Sequence, residues 1–174
     1  MRWPSKIWLM RQTSFDDFHC SLARALEAVG DWWSPLILRD LFVGIRRFDE
    51  LVEDLGISRN LLTNRLATLI DRDVVRADRY SDHARRVEYS LTESGLELAT
   101  ILMTLTTWGD RWQTPIDGPP IRFRHGTHRC DPQIVCGTCK EKIDASDVSF
   151  RPGPGGKRAP GTMLMAERLS GDRS

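Results

Sequence analysis

Residues 56–73 read GISRNLLTNRLATLIDRD, and this stretch decides the fold. Ser58 is a residue type that caps helix N-termini, and Leu62, Leu66 and Leu69 follow it at the spacing of one helical face. The stretch therefore predicts an amphipathic helix near residues 58–70. Its leucine stripe would face a core, and its opposite face is polar.

Shorter helical patterns precede this helix, each ended by a glycine: 21–29 before Gly30, 34–43 before Gly44, and 48–55 before Gly56. Ser34 followed by Pro35 predicts the start of the second pattern, with Ser34 as its cap. Its inward side chains are predicted to be Ile37, Leu38, Leu41 and Phe42. Two short helices joined by a glycine-containing turn are typical of the helix-turn-helix unit, whose second helix enters the DNA major groove.

Two candidate strands and a long helix follow. Residues 74–80 and 86–91 flank a polar tip, which predicts a β-hairpin wing. Thr92 caps the last helix, whose apolar residues cover more than one face: Leu98, Ile101, Leu102, Leu105, Trp108 and Trp112. Such a helix packs on its own domain and on a partner. The predicted fold is mainly α with a β-hairpin wing, a winged helix-turn-helix with a short Cys/His-rich C-terminal extension.

The predicted DNA-reading residues share the polar face of the 58–70 helix: Ser58, Arg59, Asn60, Thr63 and Asn64. Arginine suits guanine and asparagine suits adenine, while a threonine methyl can meet thymine. Arg65 is also predicted to bind DNA; it lies further round the helix and could reach either a phosphate or the edge of the core. The residues predicted to contact phosphates or the minor groove from the wing are Arg79, His83, Arg85 and Arg86. The alternatives are an ordinary solvated helix face and a module that binds protein.

Composition limits the classes of function. The chain has 174 residues and a formal net charge of +1, so a DNA-binding surface must come from uneven charge distribution. No apolar run approaches the roughly 18–20 residues that span a bilayer, and the N-terminus does not resemble a signal peptide. We therefore expect a cytoplasmic protein with no membrane partner. A thiol enzyme using Cys20 and His19 is disfavoured, because adjacent residues rarely hold nucleophile and base in productive geometry.

Changes in composition divide the chain into a leader (1–19), a helical domain (20–114), a Cys/His-rich extension (115–151) and a tail (152–174). The tail opens with PGPGGKRAPG, whose prolines and glycines predict a flexible segment.

The extension contains a C-x2-C pair formed by Cys136 and Cys139. A tetrahedral structural zinc needs four ligands, and Cys130 with His128 (or His125) could supply the other two. The spacing between the two pairs is tight compared with common zinc fingers. A redox-active cysteine pair and an unliganded tail are the alternatives.

From Cys20 to about Trp112 the chain resembles the HxlR family of bacterial winged-helix regulators. The resemblance rests on GDWWSPLILRDLFVGIRRFDELVEDLGIS at 30–58, LLTNRLATL at 61–69 and VEYSLTESG at 87–95. It implies a homodimer, formed by the leader and the long C-terminal helix, that binds an inverted repeat near a promoter in the bacterial nucleoid. We expect a repressor that responds to a small-molecule effector or to thiol oxidation.

Cys20 is the candidate sensor. Members of this family commonly carry a cysteine at this position, and in some it senses oxidants or electrophiles. A helix N-terminus partly stabilises a thiolate, which is the reactive form of cysteine. The alternative is a buried, inert cysteine at the dimer interface. The chain also departs from the family pattern where Asp31-Trp32-Trp33 replaces Gly-Lys-Trp, which removes a basic side chain at the start of the second helix.

Overall fold

The computed structural model describes residues 14–15, 17–79, 87–113 and 115–170. Two compact units divide the chain: residues before 29 together with those from 150 onward form one, and residues 29–149 form the other. The leader predicted at 1–19 lies mostly outside the described residues. The predicted boundaries at 19, 114 and 151 stay predictions.

The described elements follow the predicted order of helices, hairpin wing and long helix, which confirms the mainly α winged helix-turn-helix fold. The helices are α1 (Ser21–Val29), α2 (Ser34–Val43), α3 (Phe48–Leu55), α4 (Arg59–Asp71), α5 (Glu93–Trp112) and α6 (Met163–Ser170). The strands are β1 (Val75–Arg79), β2 (Val87–Leu91), β3 (Arg124–His125) and β4 (His128–Arg129), and a 3-10 turn covers Ala145–Asp147.

The core of the 29–149 unit forms where α2, α3 and α4 meet the base of the hairpin. Its buried apolar residues are Ile37, Leu38, Leu41, Leu51, Ile57, Leu62, Leu66, Leu69, Val74 and Val75. The predicted leucine stripe of α4 is thus confirmed. Phe42, predicted to point inward, is instead 45% exposed, because α2 presents that position beyond the edge of the core.

The hairpin is antiparallel, and Val75 lies opposite Leu91 while Arg79 lies opposite Val87. The segment before α3 joins its open edge, since Arg47 bridges to Glu88 and the Tyr89 amide donates to the Arg46 carbonyl at 2.9 Å. The base of the wing is therefore tied by backbone hydrogen bonds to the start of the helix-turn-helix.

The junction between the hairpin and α5 depends on Gly95. A Cβ at this position would lie 2.2 Å from the Val74 carbonyl oxygen, so the helix can approach the strand only where a side chain is missing. The Thr92 hydroxyl accepts from the Gly95 amide at 3.1 Å and donates to the Asp73 carbonyl at 2.6 Å. Thr92 is thus the cap of α5, as the sequence predicts.

Helix α6 lies within the tail predicted at 152–174, whose flexibility stays a prediction. The proline and glycine run ends at Gly161, and the residues that form α6 read MLMAERLS, which contains neither breaker. Good helix formers therefore resume beyond the breaker-rich segment. Over the part of the chain that the structure describes, no helix is long and apolar enough to cross a membrane.

Candidate nucleic-acid interface

Helix α4 presents its predicted polar face to solvent. Ser58, Arg59, Asn60, Thr63 and Asn64 are all exposed, while the leucine stripe on the opposite side is buried. The Ser58 hydroxyl accepts from the Leu61 amide at 3.4 Å and begins the helix as predicted. The structure therefore gathers these five residues at the N-terminal half of one helix face, where a recognition helix reads base edges.

Arg59 is held at the joint between α3 and α4. Its guanidinium lies 2.7 Å from the Asp49 carboxylate and 4.9 Å above the ring of Phe48. Both charged side chains are mostly exposed, and exposed ion pairs contribute little to stability. The guanidinium can therefore exchange the carboxylate for a base or phosphate at small cost.

Asn60 and Asn64 have uncommitted side-chain amides. Within the described ranges, neither amide makes a hydrogen bond or an ion pair. The Thr63 hydroxyl, by contrast, donates to the Arg59 carbonyl at 2.9 Å, which leaves its methyl as the group for an apolar contact. The two asparagines are one turn apart, and both are available for the bidentate pairing that favours adenine.

Arg65 lies at the edge of the core. It does not lie on the exposed face of α4 that carries Ser58, Arg59, Asn60, Thr63 and Asn64, which we call the reading face. Its side chain is 24% exposed, and its Nε lies 3.3 Å from the Asp31 carboxylate, whose side chain is 11% exposed. This Nε makes no hydrogen bond to any described residue, so the contact is an ion pair without a directed bond. The structure places the Arg65 side chain at the edge of the core, one of the two positions that the sequence left open, and its contact with DNA stays a prediction.

Asp31 has a structural role that sequence reasoning missed. Its carboxylate accepts from the Trp33 amide at 2.8 Å, from the Ser34 amide at 3.0 Å and from the Ser34 hydroxyl. Asp31, and not Ser34, therefore caps α2, and Ser34 is the first helical residue. Asp31, which stands where the family pattern has glycine, thus both begins α2 and forms an ion pair with Arg65 of α4.

The wing carries a polar network on β1 and β2. The Arg76 guanidinium donates to the Ser90 hydroxyl at 2.9 Å, and that hydroxyl donates to the Asp78 carboxylate at 2.7 Å. The Ser90 hydroxyl, with help from Arg76, holds the pKa of Asp78 below its ordinary value. Of the predicted wing contacts, the Arg79 side chain and His83, Arg85 and Arg86 lie outside what the structure describes.

Helix α5 has the two apolar faces that the sequence predicts. Leu98 and Leu102 pack against the core, whereas the other face is solvent-exposed over the length of the helix. The large apolar residues exposed on α5 are Leu96, Ile101, Leu105, Trp108 and Trp112. Ile101, Leu105, Trp108 and Trp112 lie on one side of the helix, and Leu96 lies on another. An exposed apolar stripe such as that from Ile101 to Trp112 is typical of an interaction surface.

An apolar cavity of about 170 Å³ lies between α2 and α5. The apolar part of its wall includes Leu36, Phe42, Val43, Leu102, Met103, Ile121 and Phe123. The last two belong to the extension, so the extension contributes one side of this partly open cavity.

Cys20 sits at the N-terminus of α1, where its carbonyl accepts from the Arg24 amide at 3.1 Å. The residue is half-buried and lines a broad groove of about 830 Å³. Basic side chains border this groove, among them Arg24 and Lys157. The surroundings therefore combine partial access to the thiol with positive charge.

The structure brings Cys136 and Cys139 together but does not gather the predicted zinc ligands around them. His128 packs edge-on against His125, with ring centroids 5.4 Å apart, and the Cys130 amide donates to the Phe123 carbonyl at 2.9 Å. Across the described residues, no group of three or more metal-binding side chains is close enough to hold an ion. A zinc bound by His128, Cys130, Cys136 and Cys139 stays a prediction.

A family model described as HxlR-like helix-turn-helix matches residues 28–117. An uncharacterised HTH-type transcriptional regulator of Mycobacterium tuberculosis is 43% identical over 139 residues, which cover 79% of this chain and 88% of that protein. This alignment is longer than the family match, so the similarity continues into the flanking residues. A similar regulator of Synechocystis, sll1512, is 36% identical over 53% of this chain and 70% of its own length.

Solved structures agree with these sequence matches. The crystal structure of PA1607, described as a candidate transcription factor, is 30% identical with a TM-score of 0.71 and covers 81% of this chain and 100% of its own. The redox regulator HypR in its reduced form is 27% identical with a TM-score of 0.51, over 54% of this chain and 94% of its own.

Proposed function

Since the chain belongs to the HxlR-like helix-turn-helix family and is a transcriptional regulator with a helix-turn-helix DNA-binding domain, we propose that it reads a specific operator through α4. The observation that carries this proposal is the exposed face of α4. Arg59, Asn60 and Asn64 lie together there, and the two amides have no partner among the described residues. Unpaired amides on a recognition helix suit adenine edges in the major groove.

The proposed regulator acts as a homodimer, with the exposed apolar stripe of α5 covered by a second copy. In the monomer, the stripe containing Leu105, Trp108 and Trp112 exposes a large apolar area to water. Burying this area against the same stripe of a second copy is favourable. A two-fold dimer presents two copies of α4 related by the same axis. The matching operator is therefore an inverted repeat.

The proposed output is repression, and the proposed signal is a small apolar effector or oxidation of Cys20. A dimer on an inverted repeat within a promoter blocks access of the polymerase. The cavity between α2 and α5 is comparable to an apolar cavity of about 150 Å³ that binds benzene, so its size suits a single ring. For Cys20, a relative of similar fold is named as a redox regulator.

A mobility-shift assay with the intergenic DNA beside the gene tests operator reading. Wild-type protein should retard this fragment at nanomolar to micromolar concentration, with affinity that falls as salt rises. Asn60→Ala and Asn64→Ala should each weaken binding to the operator by about 1–3 kcal/mol and relax the preference over random DNA. Gln133→Ala, which removes an exposed amide from the extension, is the matched control and should bind as wild type.

If random DNA competes equally with every neighbouring intergenic fragment, the operator-reading proposal is wrong. The α4 face would then fit a protein partner, which was the alternative function for this fold.

Sedimentation of a charge-substituted variant tests the dimer. Leu105→Glu places a carboxylate in the α5 stripe, where the side chain is 56% exposed, and should convert the dimer to a monomer with weakened operator binding. Ile134→Glu alters a side chain of similar exposure in the extension and should leave the mass unchanged. A Leu105→Glu variant that sediments as wild type would exclude this face as the dimer contact.

A further inference from the structure

A polar pocket of about 250 Å³ lies between the C-terminal end of α5 and the extension. Three exposed arginines from separate segments line it: Arg111 in the last turn of α5, Arg122 before β3, and Arg129 of β4. The Cys130 amide donates to the Phe123 carbonyl at 2.9 Å, which continues the β3–β4 pairing and fixes the backbone beside Arg129. This pocket is distinct from the apolar cavity between α2 and α5, although Phe123 borders both.

The three guanidinium groups of the pocket have no partner among the described residues. Their side chains form neither a hydrogen bond nor an ion pair there. Arg124 lies directly opposite Arg129 in the β3–β4 pair, and like charges so placed destabilise a hairpin unless an anion offsets them. The Arg124 guanidinium donates to the Thr127 carbonyl at 3.3 Å, whereas the Arg129 guanidinium keeps all its donors for a ligand.

Two carboxylates border the same pocket, those of Asp110 and Asp131. Neither forms an ion pair with a described residue, and the Asp131 carboxylate accepts from the Gln133 side-chain amide at 3.4 Å. Guanidinium groups bind oxyanions, while carboxylates accept hydrogen bonds from hydroxyl groups. A matching ligand therefore carries an oxyanion at one end and hydroxyl groups at the other.

The pocket suits a phosphate better than a single carboxylate. Guanidinium groups from three segments match the several oxygens of a phosphate, whereas a carboxylate offers two oxygens in one plane. The volume limits the rest of the ligand. Since a cavity of about 150 Å³ holds the carbon ring of benzene, about 250 Å³ admits roughly ten non-hydrogen atoms.

We propose that this pocket binds a small hydroxylated phosphate monoester. Arg111, Arg122 and Arg129 hold the phosphate, and Asp110 and Asp131 accept hydrogen bonds from the hydroxyl groups. The site takes a charged ligand, unlike the apolar cavity, and its occupation does not depend on the proposed reading of DNA by α4.

Isothermal titration calorimetry of the full-length protein with glycerol 3-phosphate tests the proposal. One molecule should bind per chain, inorganic phosphate should bind more weakly, and glycerol should give no heat of binding at the same concentration. Arg129→Ala should weaken the binding of glycerol 3-phosphate by about tenfold or more, because it removes charge-assisted hydrogen bonds. Arg122→Ala should act in the same way, so the test does not depend on the folding of one variant.

Arg124→Ala is the matched control for these variants. It removes a guanidinium from the strand that faces Arg129, but Arg124 does not line the pocket, so the variant should bind as wild type.

Asp131→Ala separates the phosphate contacts from the hydroxyl contacts. Loss of a negative charge beside the pocket should tighten the binding of inorganic phosphate. Loss of the acceptor should at the same time reduce the advantage of glycerol 3-phosphate over inorganic phosphate.

Three results would overturn the proposal. One is no binding of glycerol 3-phosphate at millimolar concentration. Another is equal weakening by Arg124→Ala and Arg129→Ala, which would mean attraction to the general surface charge of the hairpin. The third is citrate binding as tightly as glycerol 3-phosphate, which would assign the pocket to polycarboxylates. Thermal unfolding of each variant separates a loss of binding from a loss of folding.

Discussion

The winged-helix part, residues 29–113, and the extension, residues 115–149, are held together by different forces. The former buries a continuous set of aliphatic side chains from three helices and the hairpin. No described residue of the extension is fully buried, and its hairpins are held by backbone hydrogen bonds such as those around Cys136. The winged-helix part therefore positions its functional side chains by core packing, and the extension positions its own by the path of its backbone.

The largest effect should come from removing a core side chain of the winged helix. Leu62 is fully buried beneath the reading face of α4, so Leu62→Ala should lower the free energy of unfolding by about 2–5 kcal/mol. Ile134→Ala in the extension removes a side chain that is 59% exposed, and it should change the free energy of unfolding by less than about 0.5 kcal/mol. Urea denaturation of both variants measures the difference, and equal losses would refute the distinction between the two parts.

The second effect concerns the close approach of α5 to the hairpin. Gly95→Ala places a methyl against the Val74 carbonyl, and overpacking of this kind should cost about 1–3 kcal/mol. Gly109→Ala is the control on the same helix, because a Cβ there meets nothing within 4 Å. That change should stabilise the helix by up to about 1 kcal/mol through its propensity alone. The melting temperature should therefore fall for Gly95→Ala and rise for Gly109→Ala in thermal unfolding.

The winged helix could be predicted from the sequence because its signals are local and repeated. The leucine stripe of α4, the closing glycines Gly44 and Gly56, and the Thr92 cap all appear in the structure as the pattern indicates. The ion pair between Asp31 and Arg65 could not be predicted from local patterns, because the two residues are far apart in sequence. Only the packing of α4 against the start of α2 brings them together.

The extension was harder to predict for the opposite reason. Its strands of two residues are too short to show a hydrophobic period. The spacing of its cysteines and histidines suggests metal ligands, but it does not show which of these side chains lie close together in the fold. Cysteines 136 and 139 are adjacent because a four-residue turn joins them, whereas the position of Cys130 depends on a separate hairpin.

The smallest effect is a pH dependence of stability whose sign differs between two carboxylates, Asp40 of α2 and Asp144 of the extension. In α2, burial raises the pKa of Asp40 despite its contact with Arg39, and Oδ2 of Asp40 accepts no hydrogen bond from any described residue. The folded state therefore binds a proton at the Asp40 carboxylate more tightly than the unfolded state does. The stability that results is present below the unfolded pKa of about 3.9 and is lost as pH rises through the folded value.

Asp144 in the extension behaves in the opposite way, because hydrogen bonds from the Ser146 amide and hydroxyl lower its pKa. Its contribution is present above about pH 3.9 and is lost as pH falls through the folded value. The unfolding free energy of wild type minus that of Asp40→Asn should thus decrease as pH rises from 4, whereas wild type minus Asp144→Asn should increase up to about pH 4 and then stay level. Denaturant titrations from pH 3 to 7 measure both differences. Parallel curves would mean that burial of Asp40 does not control its protonation.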